Sequence, residues 1–179
     1  MKVFICILSE HNKWANERLL SDCACVSDQD YFRNVHPSLG SIHTTLVSGL
    51  KTDGLWLSRV TGEPENSFFA LGSPANSIED MIEKRVSLDE TLCQFANSLT
   101  ESRLSKTISL HDPEAHEDLH QPLCMTMLHM FQQQTQYRSQ VQVLLAQAGM
   151  SVTNLDLHLF QNLTGRGTLK VLERRKTAV

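Results

Sequence analysis

Leu123–Ala148, LCMTMLHMFQQQTQYRSQVQVLLAQA, decides the fold. Leu123, Met127, Met130, Tyr137, Val141, Leu144 and Ala148 recur at three- and four-residue steps, which gives a helix one apolar face along its whole length. Pro122 suits the first turn, where a missing N–H costs nothing, and Gly149 marks the stop because glycine tolerates the left-handed conformation. Beside the apolar face runs a polar strip of His129, Gln133, Gln136, Tyr137 and Gln140. Side chains four apart project the same way one turn on, so Gln133 and Tyr137 are candidates to share one small volume.

Working back toward the start, Phe4, Leu8, His11, Ala15, Leu19 and Cys23 line a first long helix from Val3 to about Cys25. Asn12, Lys13, Asn16, Glu17 and Arg18 read as its wet side. Ser27-Asp28-Gln29-Asp30 resembles a cap, and Pro37 and Gly40 mark a loop. A second helix is expected from Ser41 to about Val60 on Ile42, Leu46, Leu50 and Leu57, with Trp56 as an anchor. Gly49 and Gly54 weaken it by up to ~1 kcal/mol each, so it needs tertiary support. A third begins at Ser77, with Ser87–Glu90 as a candidate break. Leu104–Leu110 alternates like a strand, and Thr168–Leu172 is its candidate partner. Asp112–His120 reads as an acidic, histidine-bearing loop, and Val152–Gln161 as a short fifth helix or loop. Four long helices with short connections predict an all-α four-helix bundle over residues 1–165, with 166–179 as a basic tail or short strand.

Composition narrows the function classes. A chain of 179 residues, 41% hydrophobic and 20% charged, fits one ordinary globular domain. Its net charge of −4 is spread along the chain and gives no footprint for nucleic acid. The closing basic run (Arg166, Lys170, Arg174, Arg175, Lys176) is ordinary for a solvated tail. The opening MKVFICIL is too short an apolar run for a signal peptide, and no segment approaches the ~20 apolar residues of a membrane helix. Five cysteines without framework spacing point to reduced thiols in a cytoplasmic protein. Cys23 and Cys25, two apart on a helix, diverge and make no metal pair.

Several segments, taken in order, resemble the DinB (damage-inducible) family, also called YfiT-like putative metalloenzymes. They are HNKWANERLL in the first helix, GSIHTTLVSGLKTDGLWLSRVTG from Gly40 to Gly62, LHMFQQQTQYRSQVQVLLAQAGM from Leu128 to Met150, and Leu155-Asp156-Leu157 after it. The resemblance implies a bundle of up-down-down-up type with a short fifth helix and a small two-stranded excursion. It also implies homodimers assembled through helices, and a nickel or zinc ion held by three histidines. Carried over, those ligand positions fall at Ser48, Gln133 and Tyr137, so all three histidines are absent, while Arg138 and Gln140 keep the family's residues.

A hydroxyl, a neutral amide and a phenol bind first-row metals poorly at neutral pH, so the resemblance leads to a polar pocket without metal or other cofactor. His129, Gln136 and Gln140 are expected as its neighbours. His129 is the best replacement ligand, although packing or hydrogen bonding is the more ordinary role for it. His43 is turned away by about 140° from position 48, and His111, His116 and His120 lack the spacing of a protease site. The resulting expectation is a metal-free member that binds a small molecule, acts as a dimeric interaction protein, or both. The alternative is a metal-dependent thiol S-transferase or hydrolase with replacement ligands. No nucleophile–base–orienter set supports metal-free catalysis, and neither nucleic acid nor a membrane is an expected partner.

Overall fold

The computed structural model describes residues 1–35, 40–64, 67–68, 75–112 and 117–167, apart from the side chains of 110–112 and 117. Pro37, His116, the candidate strand at 168–172 and the basic run beyond Arg166 lie outside the described residues. The described elements are α1 (Lys2–Cys23), α2 (Asp28–Phe32), α3 (Ile42–Thr61), α4 (Ile78–Ser98), α5 (Glu101–Leu104), β1 (Thr107–Asp112), β2 (Glu117–Pro122), α6 (Leu123–Gln147) and α7 (Leu157–Thr164).

Local chemistry sets the ends. Ser41 caps α3 by accepting from the Thr44 backbone N–H, and the Thr44 hydroxyl reciprocates toward the Ser41 N–H. Gly62 closes that helix at φ 80°, and Ser77 caps α4 through the Asp80 N–H. The Ser27 hydroxyl does the same for α2.

Four long helices make the bundle. α1 packs against α4 and α6, and α3 against α6 and α4, so α1 and α3 stand on one diagonal. Paired residues give the directions. Asn12 and Asn16 meet Asp89 while Lys2 meets Asn97, so α1 and α4 run oppositely. Asn12 meets Arg138 and Asp22 meets Thr153, so α1 and α6 run together. Trp56 meets His129 and Thr52 meets Tyr137, so α3 opposes α6. The order is up-down-down-up, as the family resemblance implies.

The core runs through Leu57, Met81, Leu88, Leu92, Leu104, Met127 and Met130, and a second cluster joins Leu19, Tyr31, Val141, Leu144 and Leu145. At about 2 kcal/mol for each fully buried side chain of this size, burial of these faces drives the assembly. No described helix is long and apolar enough to cross a membrane.

Four expectations from the sequence change. α4 runs through Ser87–Glu90 without a break, because Leu88 and Asp89 are both buried and hold the segment to the core. β1 pairs antiparallel with β2, Thr107 opposite Pro122, so much of the expected acidic loop is the second arm of a hairpin. The polarity of β2 concealed it, since two-residue alternation needs one apolar face. Asn12 and Asn16, expected in water, are buried, whereas Phe4 is 68% exposed.

Candidate functional site

The inward face of α6 carries Leu123, Met127, Met130, Gln134, Arg138, Val141 and Leu145. Two polar side chains therefore sit midway along an otherwise apolar stripe, one position over from Gln133 and Tyr137. Around Arg138 the four long helices each contribute polar groups: Asn12 and Asn16 from α1, Asp53 from α3, Arg85 and Asp89 from α4. None is more than 6% exposed.

Asp89 is the hub. It accepts from Asn12 Nδ2 (3.0 Å), from Asn16 Nδ2 on both oxygens (3.1 and 3.0 Å) and from Arg85 through Nε (3.0 Å) and Nη2 (2.7 Å). Arg138 Nη1 donates to Asn12 Oδ1 (2.6 Å) and Asn16 Oδ1 (3.1 Å), and its Nη2 donates to Thr135 Oγ1 (3.2 Å). The two asparagines thus relay between a carboxylate and a guanidinium, with their amide nitrogens toward one and their oxygens toward the other.

Asp53 is less well served. It receives Arg85 Nη1 on Oδ2, while its buried Oδ1 has no hydrogen-bond partner. Burial pushes its carboxyl up to about 6 against the opposing pull of Arg85. Burial also lowers Arg85, but Asp89 and Asp53 more than reverse this. Arg138, whose direct partners are neutral, is drawn down to about 10 by desolvation.

The three positions aligned with family ligands lie differently. Ser48 is exposed and its hydroxyl donates to the Thr44 carbonyl (2.9 Å). Tyr137 is half-buried with its hydroxyl 3.0 Å from Thr52 Oγ1. Its ring lies against the α3 backbone where Gly49 leaves room, since a Cβ there would stand 3.2 Å from Tyr137 Cγ. The glycine that weakens α3 as an isolated helix is what admits this ring. Gln133 is half-buried, with Oε1 unpartnered.

These donors do not fit a nickel or zinc ion. Two hydroxyls are already engaged, no imidazole is among the three, and a neutral amide oxygen is a weak ligand for such metals. Among the described residues no group of three or more His, Cys, Asp or Glu side chains could hold a metal. His129 is exposed and stacks edge-on against Trp56, centroids 4.9 Å apart. Gln140 is half-buried, Gln136 is exposed, and His43 packs against Tyr31 and Phe32. The Tyr137–Thr52 contact gives a modest prediction. Tyr137→Phe keeps the ring over Gly49 and loses about 1 kcal/mol in urea unfolding; no loss at all would mean that the hydroxyl pair adds nothing.

A cavity of about 760 Å³ lies elsewhere, between α1, α6 and the segment leading into α7. Leu8, Leu128, Phe131 and Leu157 give it apolar walls, and Gln132, Gln136 and Arg138 add polar groups. Ser48, Gln133 and Tyr137 do not line it. Its outer wall is tied down at several points. Thr153 donates from its backbone N–H (2.9 Å) and hydroxyl (2.8 Å) to Asp22, and Gln142 donates to the Thr153 carbonyl (2.7 Å). His11 Nε2 lies 2.8 Å from the Leu155 carbonyl and so donates to it. Burial lowers the His11 pKa, which keeps this imidazole neutral at neutral pH. Phe160 of α7 closes over His11 and Trp14, with centroids 5.6 Å from each.

Sequence reasoning did not single out Asn12, Asn16, Asp53, Arg85, Asp89 and Gln134 as site residues, and took Leu155-Asp156-Leu157 only as a family-like segment rather than as a cavity wall. Spacing carried a signal for some of them. Arg85 and Asp89 are four apart among Met81, Leu88 and Leu92, and so fall on the buried stripe.

A right-way-round class emerges from this geometry: an up-down-down-up helical bundle whose centre is a polar relay rather than a purely apolar core. The sequence matches the DinB family over residues 1–175, and the chain belongs to that family. A DinB-like protein from Bacillus cereus ATCC 10987 shares the fold, with TM-score 0.61 at 12% identity, covering 78% of this chain and 89% of that one. Among curated proteins, none matches the sequence.

Proposed function

We propose that this DinB-family chain works without a bound metal, as a protein that holds a small molecule in the cavity between α1, α6 and the 150–157 segment. The cavity carries the reading. Its volume is that of a small-molecule site, its walls are mainly apolar with a few convergent polar groups, and hydrogen bonds pre-form its outer wall. The chemistry at Ser48, Gln133 and Tyr137 supports the metal-free part, since none offers a basic nitrogen or a thiolate.

Elemental analysis of untagged protein after addition of nickel or zinc tests that part. The natural chain is expected to retain no stoichiometric metal, and a Ser48→His/Gln133→His/Tyr137→His variant to gain it. Stoichiometric metal in the natural chain would overturn the metal-free reading and favour the alternative, a metal-dependent transferase or hydrolase with replacement ligands.

A homodimer is the second reading, favoured by the exposed Val3 and Phe4 on α1 and the exposed Met125 and Leu128 on α6. α1 and α6 run together, and Asn12 and Asn16 meet Arg138, so these residues stand at one level of neighbouring helices. Sedimentation equilibrium is expected to show a dimer that Phe4→Glu weakens. A monomer at all concentrations would remove this reading.

A further inference from the structure

We propose that the α1–α6 cavity selects small organic carboxylates, the guanidinium of Arg138 pairing with the acid while the apolar walls take the hydrocarbon body. This rests on the cavity reading above and adds the chemical class of the ligand. Arg138 is the one buried cation on the cavity wall among the described residues. Its partners, Asn12 Oδ1, Asn16 Oδ1 and Thr135 Oγ1, are all neutral oxygens. Arg85, by contrast, is paired directly with both Asp53 and Asp89. A guanidinium has five N–H donors in a planar fork that matches a carboxylate. Arg138 spends two of its three bonds from a single nitrogen, which leaves donor capacity in the fork.

The other ionisable groups of the lining do not compete for the acid. His11 is neutral and committed to the Leu155 carbonyl. Asp156 is exposed and turned to the start of α7, where its carboxylate accepts from the Leu159 N–H at 2.6 Å. Gln132 and Gln136, also on the lining, can donate to a bound anion, whereas the Ser139 hydroxyl already donates to the Thr135 carbonyl (2.9 Å). The low dielectric around Arg138 strengthens a direct ion pair relative to the same pair in water. A volume of about 760 Å³ leaves space for a hydrocarbon body of six to twelve carbons, on the order of a drug-sized ligand.

The acid–amide comparison is made first on the unaltered chain with matched ligands, so the preference for the acid is read without any substitution. Straight-chain and arylalkyl carboxylates of about six to twelve carbons, each with its primary amide, are titrated by calorimetry. At least one acid is expected to bind tenfold or more tightly than its amide, and Gln136→Trp, which fills the cavity from an exposed position, to abolish binding of both. Arg138→Gln is expected to remove the preference for the acid. Equal binding of acid and amide, blocked by Gln136→Trp, would overturn the carboxylate proposal and leave the cavity reading standing. Binding that Gln136→Trp does not disturb, or no binding by any member, would overturn both. A dimer that Gln136→Trp dissociates, in a chain that binds no member, would assign the cavity to a second copy and overturn the proposal.

Discussion

Asp89→Ala is expected to lower the unfolding free energy by about 3–5 kcal/mol, the cost of removing one partner from a buried ionic network. The carboxylate accepts from Asn12, Asn16 and Arg85, all buried. Its loss leaves three donor side chains with nowhere to turn, and Arg85 then faces Asp53 alone. Urea unfolding followed by circular dichroism reads the change directly. Asp89→Asn has nearly the same shape but carries no charge, and its own amide N–H groups would meet the donors of Asn12 and Asn16; it is expected to lose a comparable amount. A loss below about 1 kcal/mol in both variants would show that water or rearrangement satisfies these groups, contrary to their burial.

The second large effect is one of pH and belongs to Asp53. Its folded carboxyl is pushed up to about 6 by burial, from an ordinary value of 3.8. The folded chain therefore holds this proton more tightly than the unfolded chain does. The stability from that preference is fully present below about pH 4 and is lost as pH rises through 6. Measured against Asp53→Asn, which cannot titrate, the natural chain is expected to lose on the order of 2–3 kcal/mol between pH 4 and pH 7. Comparing the two proteins cancels the other titrating groups to the extent that they act independently. A difference that is flat, or that rises with pH, would mean that Arg85 holds Asp53 ionised despite its bare Oδ1.

Much of the fold is legible along the chain because caps and apolar spacing act locally. Ser41 and Ser77 mark helix starts that the structure reproduces within a residue. The centre of the bundle is not legible by the same means. Ile5, Ser9, Asn12, Asn16, Leu19 and Cys23 form one buried stripe of α1, but three of its members are polar. Hydrophobic periodicity follows the apolar residues and so turns the helix away from Asn12 and Asn16. What makes these amides suitable for burial is Asp89 and Arg138, 73 and 122 residues from Asn16 in the chain. A single sequence does not show those partners. The candidate ligand positions had the same difficulty. Spacing put Gln133 and Tyr137 on one strip, but only packing shows that Gln134 and Arg138, one position on, face the centre.

The relay among Asn12, Asn16, Asp53, Arg85, Asp89 and Arg138 also bears on how the chain folds. Apolar contacts tolerate partial assembly, since any two greasy faces gain something by meeting. The relay does not. Its members come from all four long helices, and a compact state with three helices docked would bury ionised groups without their complements. Such states are therefore expected to be disfavoured relative to the finished bundle, and replacing all six polar side chains by apolar ones is expected to broaden the urea transition. On that expectation the polar centre selects one helix register over the others, whatever ligand the finished protein holds.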